Sequence, residues 1–248
     1  MKLNFYSNLK APLLFGGLAF SKRTENEIRE LVKDNPSLAT KEFLQSFSYK
    51  KYNAAVAVNN KGEVLGRYYK KVLMPFGEYL PFSELYPRIK TWFPMVGDFS
   101  KGTFEKPISF SDIKTFALIC YEDLVPSMTR LAVRNGANLL INLTNDAWYG
   151  QTQASKQHHL LATWRAVESR RYFLRATNTG YTAIVDPFGQ TVKNLEIFTS
   201  NVLVDKVKLL NLRTIYSYLG DIPLYIFIVI FFMRRFLINL LRHENNTE

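Results

Sequence analysis

A chain of 248 residues has room for one large α/β domain with a full core, or for one domain and an appendage. Its 32 Lys and Arg against 21 Asp and Glu give a formal charge of +11, which admits nucleic acid, anionic lipid and acidic substrates as partners. The 47% hydrophobic and 15% aromatic content, without zinc-ligand spacing, a helix-turn-helix pattern or an aromatic RNA-binding motif, argues against nucleic acid and favours lipid, while a single cysteine excludes an internal disulfide and a CxxC metal site.

Lys2 and Lys10 precede an apolar run, residues 11–20, that contains the pair Gly16-Gly17. The h-region of a signal peptide has a similar look, but no small-x-small cleavage site follows, so the run is read as a buried strand. Residues 25–32 and 40–47 carry the spacing of amphipathic helices. Residues 54–58 and 64–69 flank Asn59-Asn60-Lys61-Gly62 and read as a hairpin. A Lys-rich segment then closes on Pro75-Phe76-Gly77-Glu78. Residues 82–99, with Leu85, Tyr86, Trp92, Phe93 and Met95, are apolar enough for a membrane-dipping lid, the alternative being a packed surface loop.

Thr115-Phe116-Ala117-Leu118-Ile119 reads as a strand that breaks into Cys120-Tyr121-Glu122-Asp123. Residues 137–143 are a further apolar run, and 155–174 have helical period. Residues 182–185 lead into the turn Asp186-Pro187-Phe188-Gly189 and a short strand near 201–204. Such alternation implies layered sheets covered by helices. Residues 222–233 then run without a charge. Twelve helical residues reach about 18 Å, against a hydrocarbon core of roughly 30 Å. With Arg234 and Arg235 snorkelling, and Asp221, Tyr216 and Tyr218 at the opposite interface, a span of about twenty residues results. Arg234, Arg235 and Arg242 would then put the tail in the cytoplasm and the preceding domain outside. A buried terminal helix of a soluble domain is the other reading.

Cys120, at a strand end, would face whatever Lys70 or Lys71 presents. A neighbouring ammonium and the amides of a following turn favour a nucleophilic thiolate, although a small buried core residue is the competing reading on position alone. Glu78 can orient and charge-balance such an ammonium, or simply cap a turn. His158 and His159 are adjacent, so on a helix they diverge by about 100° and form no metal set. Arg165 and Glu168 make an i,i+3 pair, and Lys156, Arg170 and Arg171 read as a solvated face.

The segments Tyr69-Lys70-Lys71-Val72-Leu73-Met74-Pro75-Phe76-Gly77-Glu78-Tyr79-Leu80-Pro81, Ile119-Cys120-Tyr121-Glu122 and Asn142-Leu143-Thr144-Asn145-Asp146-Ala147-Trp148-Tyr149-Gly150 resemble, in order and spacing, the nitrilase-superfamily domain of the bacterial apolipoprotein N-acyltransferases. The segment from Arg175 to Ala183 and the terminal apolar helix fit the same pattern, and the likeness covers about residues 11–241. It implies an α/β fold, an α-β-β-α sandwich over 1–213, N-terminally incomplete. One transmembrane helix and a cytoplasmic tail would follow over 214–248, with the domain on the periplasmic face of the inner membrane. It implies Cys120 as nucleophile and Lys70 as catalytic lysine. Glu78 would be a second glutamate near the site, Tyr121 the amide donor after the nucleophile, and Glu122 a support behind it or merely a helix-opening residue. No metal and no cofactor are implied.

The implied reaction is ping-pong acyl transfer. An acyl group would pass from a membrane phospholipid to Cys120, then to the N-terminal amine of a diacylglyceryl-cysteine on an apolipoprotein. The family's general-base glutamate belongs before the segment starting at Leu13, where this sequence has no glutamate, and the family's upstream membrane helices have no counterpart. The expectation is therefore a half-enzyme completed by a separately encoded membrane half, or an impaired remnant serving as a membrane-attached binding or scaffold protein. A nitrilase-type amidase acting on small C–N substrates would share Lys70 and Cys120.

Overall fold

Runs of Val, Ile, Phe and Tyr punctuated by Gly and Asn turns assemble into two sheets. The computed structural model describes residues 10–33, 48–83, 85–86, 88–103 and 106–244. Strands β1 (Leu13–Lys22), β2 (Tyr49–Val58) and β3 (Val64–Tyr69) form an antiparallel three-stranded sheet in that order. Between β1 and β2 lies helix α1 (Glu25–Lys33), opened by a reciprocal cap in which Thr24 Oγ1 accepts from Glu27 N and Glu27 Oε2 accepts from Thr24 N.

The second sheet has six strands in sequence order: β4 (Ile108–Phe110), β5 (Ile113–Ile119), β6 (Leu139–Thr144), β7 (Phe173–Thr177), β8 (Ala183–Val185) and β9 (Thr191–Asn194). Only β5, β6 and β7 pair in parallel. Parallel neighbours need crossover connections, which here are helices α2 (Pro126–Arg134) and α3 (Ala154–Ser169). Strand β5 is buried on both faces from Thr115 to Leu118, as a central strand between two layers must be. On one side it meets the small sheet, where the Tyr68 and Phe116 rings lie 4.7 Å apart. On the other side Met128, Ala132, Ala162 and Ala166 are buried in the same core, and the alanines let the helices approach closely. All three parallel strands therefore end on one edge, where their following turns can share a site.

Several expectations need correction. The run at 11–20 is a strand but is not buried, because β1 is an edge strand that leaves Leu18 56% and Phe20 62% exposed. The helix expected at 40–47 lies outside the described residues. The helical period over 155–174 conceals a break: α3 stops at Ser169, Arg170 turns left-handed at φ +51, and Phe173–Thr177 pairs with β6 instead. Residues 201–204 are not a strand; Thr191–Asn194 follows the turn at Asp186–Gly189 and pairs with β8. Of the supposed solvated face, Lys156 is exposed and Arg170 lies over the Phe188 ring, but Arg171 is 1% exposed. Its guanidinium donates to the carbonyls of Ala137, Ser169, Arg170 and Leu212, tying the terminal segment to the sheet.

Helices α4 (Ile215–Leu219) and α5 (Ile222–Glu244) close the described chain. Pro223 sits at the start of α5, where its missing N–H costs nothing. From Ile222 to Ile238 every position of α5 is exposed, so its apolar side chains are not packed on the domain. No helix among the described residues is long and apolar enough to cross a membrane. This corrects the expected transmembrane helix: the uncharged stretch ends at Arg234, only twelve residues from Ile222 and about 18 Å in length.

Candidate active site

Cys120 begins a 3₁₀ turn, Cys120–Leu124, directly after β5. Its φ of +52 is unusual for a residue with a Cβ and costs about 1 kcal/mol. The cost is held in place by Asn142 on β6, whose Nδ2 donates to the Cys120 carbonyl at 2.9 Å. The result is a half-exposed thiol lifted out of the ladder at the end of a buried strand.

Lys70 follows the last residue of β3 and is fully buried. A buried ammonium is tolerable only when paired, and Lys70 Nζ donates to both oxygens of Glu78, at 2.9 and 2.8 Å. Glu78 is held in turn by Asn53 Nδ2 and by the Met74 amide at 2.8 Å. The Lys70 backbone is clamped as well: its amide donates to Asn53 O and its carbonyl accepts from Gly102 N, each at 2.8 Å. Gly102 is required there, because a Cβ would lie 2.1 Å from the Tyr69 carbonyl oxygen. Of the two lysines, Lys70 carries the buried pair and Lys71 is exposed.

Glu122 joins the two halves. Its side chain is completely buried and accepts from Tyr68 OH (2.7 Å), the Lys71 and Val72 amides (2.8 and 2.9 Å) and the Ile119 amide (2.8 Å). These contacts stitch the loop after Lys70 to the turn that bears Cys120. Burial pushes the Glu122 carboxyl above the usual carboxylate range, against the pull of the Val72, Ile119 and Lys71 amides and Tyr68. The Tyr68 hydroxyl is also driven upward, by burial and by the Glu122 charge. Tyr121 is half-buried beside the thiol as the second residue of the same turn.

Beneath this turn lies a buried charge cluster that the sequence reading missed. Asp123 Oδ1 and Asp146 Oδ1 meet opposite ring nitrogens of His158, at 2.9 Å (Nε2) and 3.0 Å (Nδ1). Arg175 on β7 donates to Asp123 Oδ2 at 2.7 Å and lies 3.5 Å from Asp146 Oδ2. Gly180 closes over the group, since a Cβ there would fall 2.2 Å from Asp146 Oδ2. His159 points elsewhere, bonding Thr191 Oγ1 at 2.9 Å and stacking on Tyr181, and burial lowers it to about 4. Asn53 was also missed, although an Asn within the otherwise apolar Ala54–Val58 neighbourhood of β2 is a readable signal. Among the described residues no cluster of three or more His, Cys, Asp or Glu side chains is disposed to hold a metal ion.

Several described side chains of the loop 82–99 point outward from this site. Phe82, Leu85, Trp92 and Met95 are 69%, 73%, 77% and 95% exposed, and Trp148, from the turn after β6, is 89% exposed. Its returning stem is pinned beside Glu78, with Gly97 N donating to Gly77 O at 3.0 Å and Phe99 N to Glu78 O at 2.9 Å.

Comparison with known proteins agrees with this architecture. A carbon-nitrogen hydrolase crystal structure from Helicobacter pylori G27 superposes with a TM-score of 0.50, at 14% identity, covering 75% of this chain and 59% of that one, which bears on the fold alone. Apolipoprotein N-acyltransferase of Geobacter metallireducens is 37% identical over 170 residues, and apolipoprotein N-acyltransferase 1 of Treponema denticola is 34% identical over 230. The matches take in 68% and 88% of this chain but only 33% and 40% of those relatives, so the chain spans well under half the length of either. The family model for carbon-nitrogen hydrolases matches residues 22–216, and on that match, which takes in Lys70, Glu78, Cys120 and Glu122 together, the chain belongs to the carbon-nitrogen hydrolase family.

Proposed function

We propose that the chain carries the thiol and lysine side of an N-acyltransferase site that moves an acyl group from a membrane phospholipid, through a Cys120 thioester, to an apolipoprotein's N-terminal amine. The observation that carries this reading is the Glu122 bridge, which fastens the loop of the buried Lys70–Glu78 pair to the strained turn of Cys120. In the first half-reaction the sulfur bonds the ester carbonyl carbon, the C–O bond breaks, and the lysophospholipid leaves with the proton lost by the thiol. In the second, the amine nitrogen bonds the same carbon, the C–S bond breaks, and the thiol regains a proton from the amine. Lys70 supplies a fixed positive charge toward the developing oxyanion, and the Tyr121 amide is the assigned second donor.

Glu78 and Glu122 already accept from several donors each. In this reading a carboxylate from a further stretch of polypeptide, joined to this chain or encoded separately, receives the thiol proton. The outward aromatic side chains of the loop 82–99 favour a lipid donor over the small C–N substrates of an amidase. The apolar surface of α5 supports attachment at the inner membrane, its uncharged run from Ile222 to Met233 being shorter than a full span, and the domain is assigned to the periplasmic side.

Intact-mass analysis of the membrane-bound chain after incubation with phosphatidylethanolamine tests this. A hydroxylamine-labile, acyl-sized adduct is expected on wild type and not on Cys120→Ala or Lys70→Ala, either directly or once the upstream portion of a relative is added in trans. A folded protein that forms no adduct in both arrangements overturns the reading.

A further inference from the structure

The His158 cluster has a defined charge balance. Asp123 belongs to the Cys120 turn, Asp146 opens the 3₁₀ turn Asp146–Tyr149 after β6, His158 projects from α3 and Arg175 from β7. These four side chains are at most 4% exposed, so no water screens them effectively. Each His158 nitrogen faces a carboxylate oxygen within 3.0 Å, and a carboxylate can only accept. A neutral imidazole would turn a lone pair against one of them. Arg175 Nη2, 3.4 Å from Nδ1, could donate to such a lone pair, but Asp146 Oδ1 is nearer and would then be repelled. With His158 doubly protonated, two carboxylates balance an imidazolium and a guanidinium; without its proton the cluster is left with one uncompensated negative charge. Thr144 Oγ1 also donates to Asp146 Oδ1, at 3.3 Å, and the other titratable neighbours are Tyr149, whose ring meets His158 edge-on at 6.0 Å, and His159, the next residue of α3.

We propose that His158 is a positioning residue, held as an imidazolium, that locks the Cys120 turn to the turn after β6 and keeps the layer beneath the thiol electrically neutral so that a thiolate can form there. Tyr149 reports the shared environment: burial first, then the charges of Cys120, Asp146 and Asp123, push its hydroxyl upward, with Arg175 opposing. His158 itself is held above its ordinary value by Asp123 and Asp146 despite its burial. The proposal rests on Cys120 being the nucleophile, and its test separates the two ideas by reading thiol reactivity without any acyl donor.

The full chain in detergent is alkylated with iodoacetamide, which reports one site because the chain has one cysteine. In His158→Gln, alkylation is expected to slow about tenfold at pH 7 and less than about twofold at pH 9, because the uncompensated charge opposes only formation of the thiolate. In the double variant His158→Gln/Asp146→Asn, neutrality is restored and the pH 7 rate is expected to return to within about threefold of wild type, a rescue that packing loss alone would not give. A folded His158→Gln with an unchanged pH profile overturns the proposal. If that variant does not fold, ¹⁵N spectra of the wild-type imidazoles decide: one doubly protonated ring persisting at pH 8 supports it, and a neutral His158 at pH 7 overturns it. A wild-type Cys120 that alkylates no faster than a free thiol would instead sink its role as nucleophile, whatever the state of His158.

Discussion

Lys70 and Glu78 form a pair whose members are not equivalent. The Lys70 side chain is 1% exposed, whereas Glu78 is 15% exposed and keeps the Met74 amide and Asn53 as donors if the lysine is lost. Lys70→Met should therefore cost little in urea denaturation, about 1 kcal/mol, while Glu78→Gln, which strands a buried ammonium, should cost about 3 kcal/mol. Adduct formation should fall at least about 10²-fold in both. Equal destabilisation by the two variants would mean that Lys70 finds another counter-charge. At this scale the sequence was legible wherever chemistry and spacing coincide: Cys120 at a strand end, with Lys70 and Glu78 eight residues apart in one motif. The positive φ of Cys120 and the clamp from Asn142 were not legible, because backbone strain and a contact between residues 22 positions apart leave no local mark.

Among the elements, the turn after β5 is the junction of the site. Its third residue, Glu122, faces the small sheet and its fourth, Asp123, faces the helical layer, so one 3₁₀ turn grips both sides of the sandwich. Glu122→Gln would place an amide NH₂ among four donors. The expected cost is about 2 kcal/mol, with faster hydrogen exchange at the Lys71, Val72 and Ile119 amides and no change at β9. Exchange that is faster everywhere alike would argue against a local clasp. The cluster on the other side makes stability depend on pH. His158 is raised above 6.5, so its contribution is complete below that value and is lost as pH rises through the folded-state value. Asp146 is lowered beneath 3.8, so its contribution is present above that value and is lost as pH falls through the folded one. In chemical denaturation the difference between wild type and His158→Gln should accordingly shrink as pH rises above 6.5; a constant difference up to pH 10 would place no proton on the ring. The hairpin of β2 and β3, the strands β5 and β6 and the start of α3 followed from the apolar periods, but helix α2, the strand order and the end of α3 did not. Phe173 and Leu174 continue the helical period and are claimed by β6 instead, a case of tertiary pairing overriding a local pattern.

The whole molecule combines a packed sandwich with apolar surface that the sandwich does not use. The described side chains of α5 up to Ile238 are exposed on every side of the helix, and aromatic rings on the loop 82–99 are exposed beside the site. The density of Ile and Phe over residues 222–233 announced this surface, and the structure places Arg234 and Arg235 within the same continuous helix. A helix apolar on all faces is stable in water only if covered, and a bilayer covers it at a gain that one charge at its centre would cancel by about 3 kcal/mol. Val229→Asp, in the middle of the uncharged run, should therefore lower the fraction of the full chain that floats with phosphatidylethanolamine–phosphatidylglycerol vesicles about 10²-fold, leaving iodoacetamide labelling of Cys120 unchanged. Arg234→Leu should have the opposite effect, lengthening the uncharged run and strengthening flotation. If Val229→Asp floats as well as wild type while Trp92→Asp does not, membrane contact belongs to the loop beside the site, and α5 is covered by protein instead.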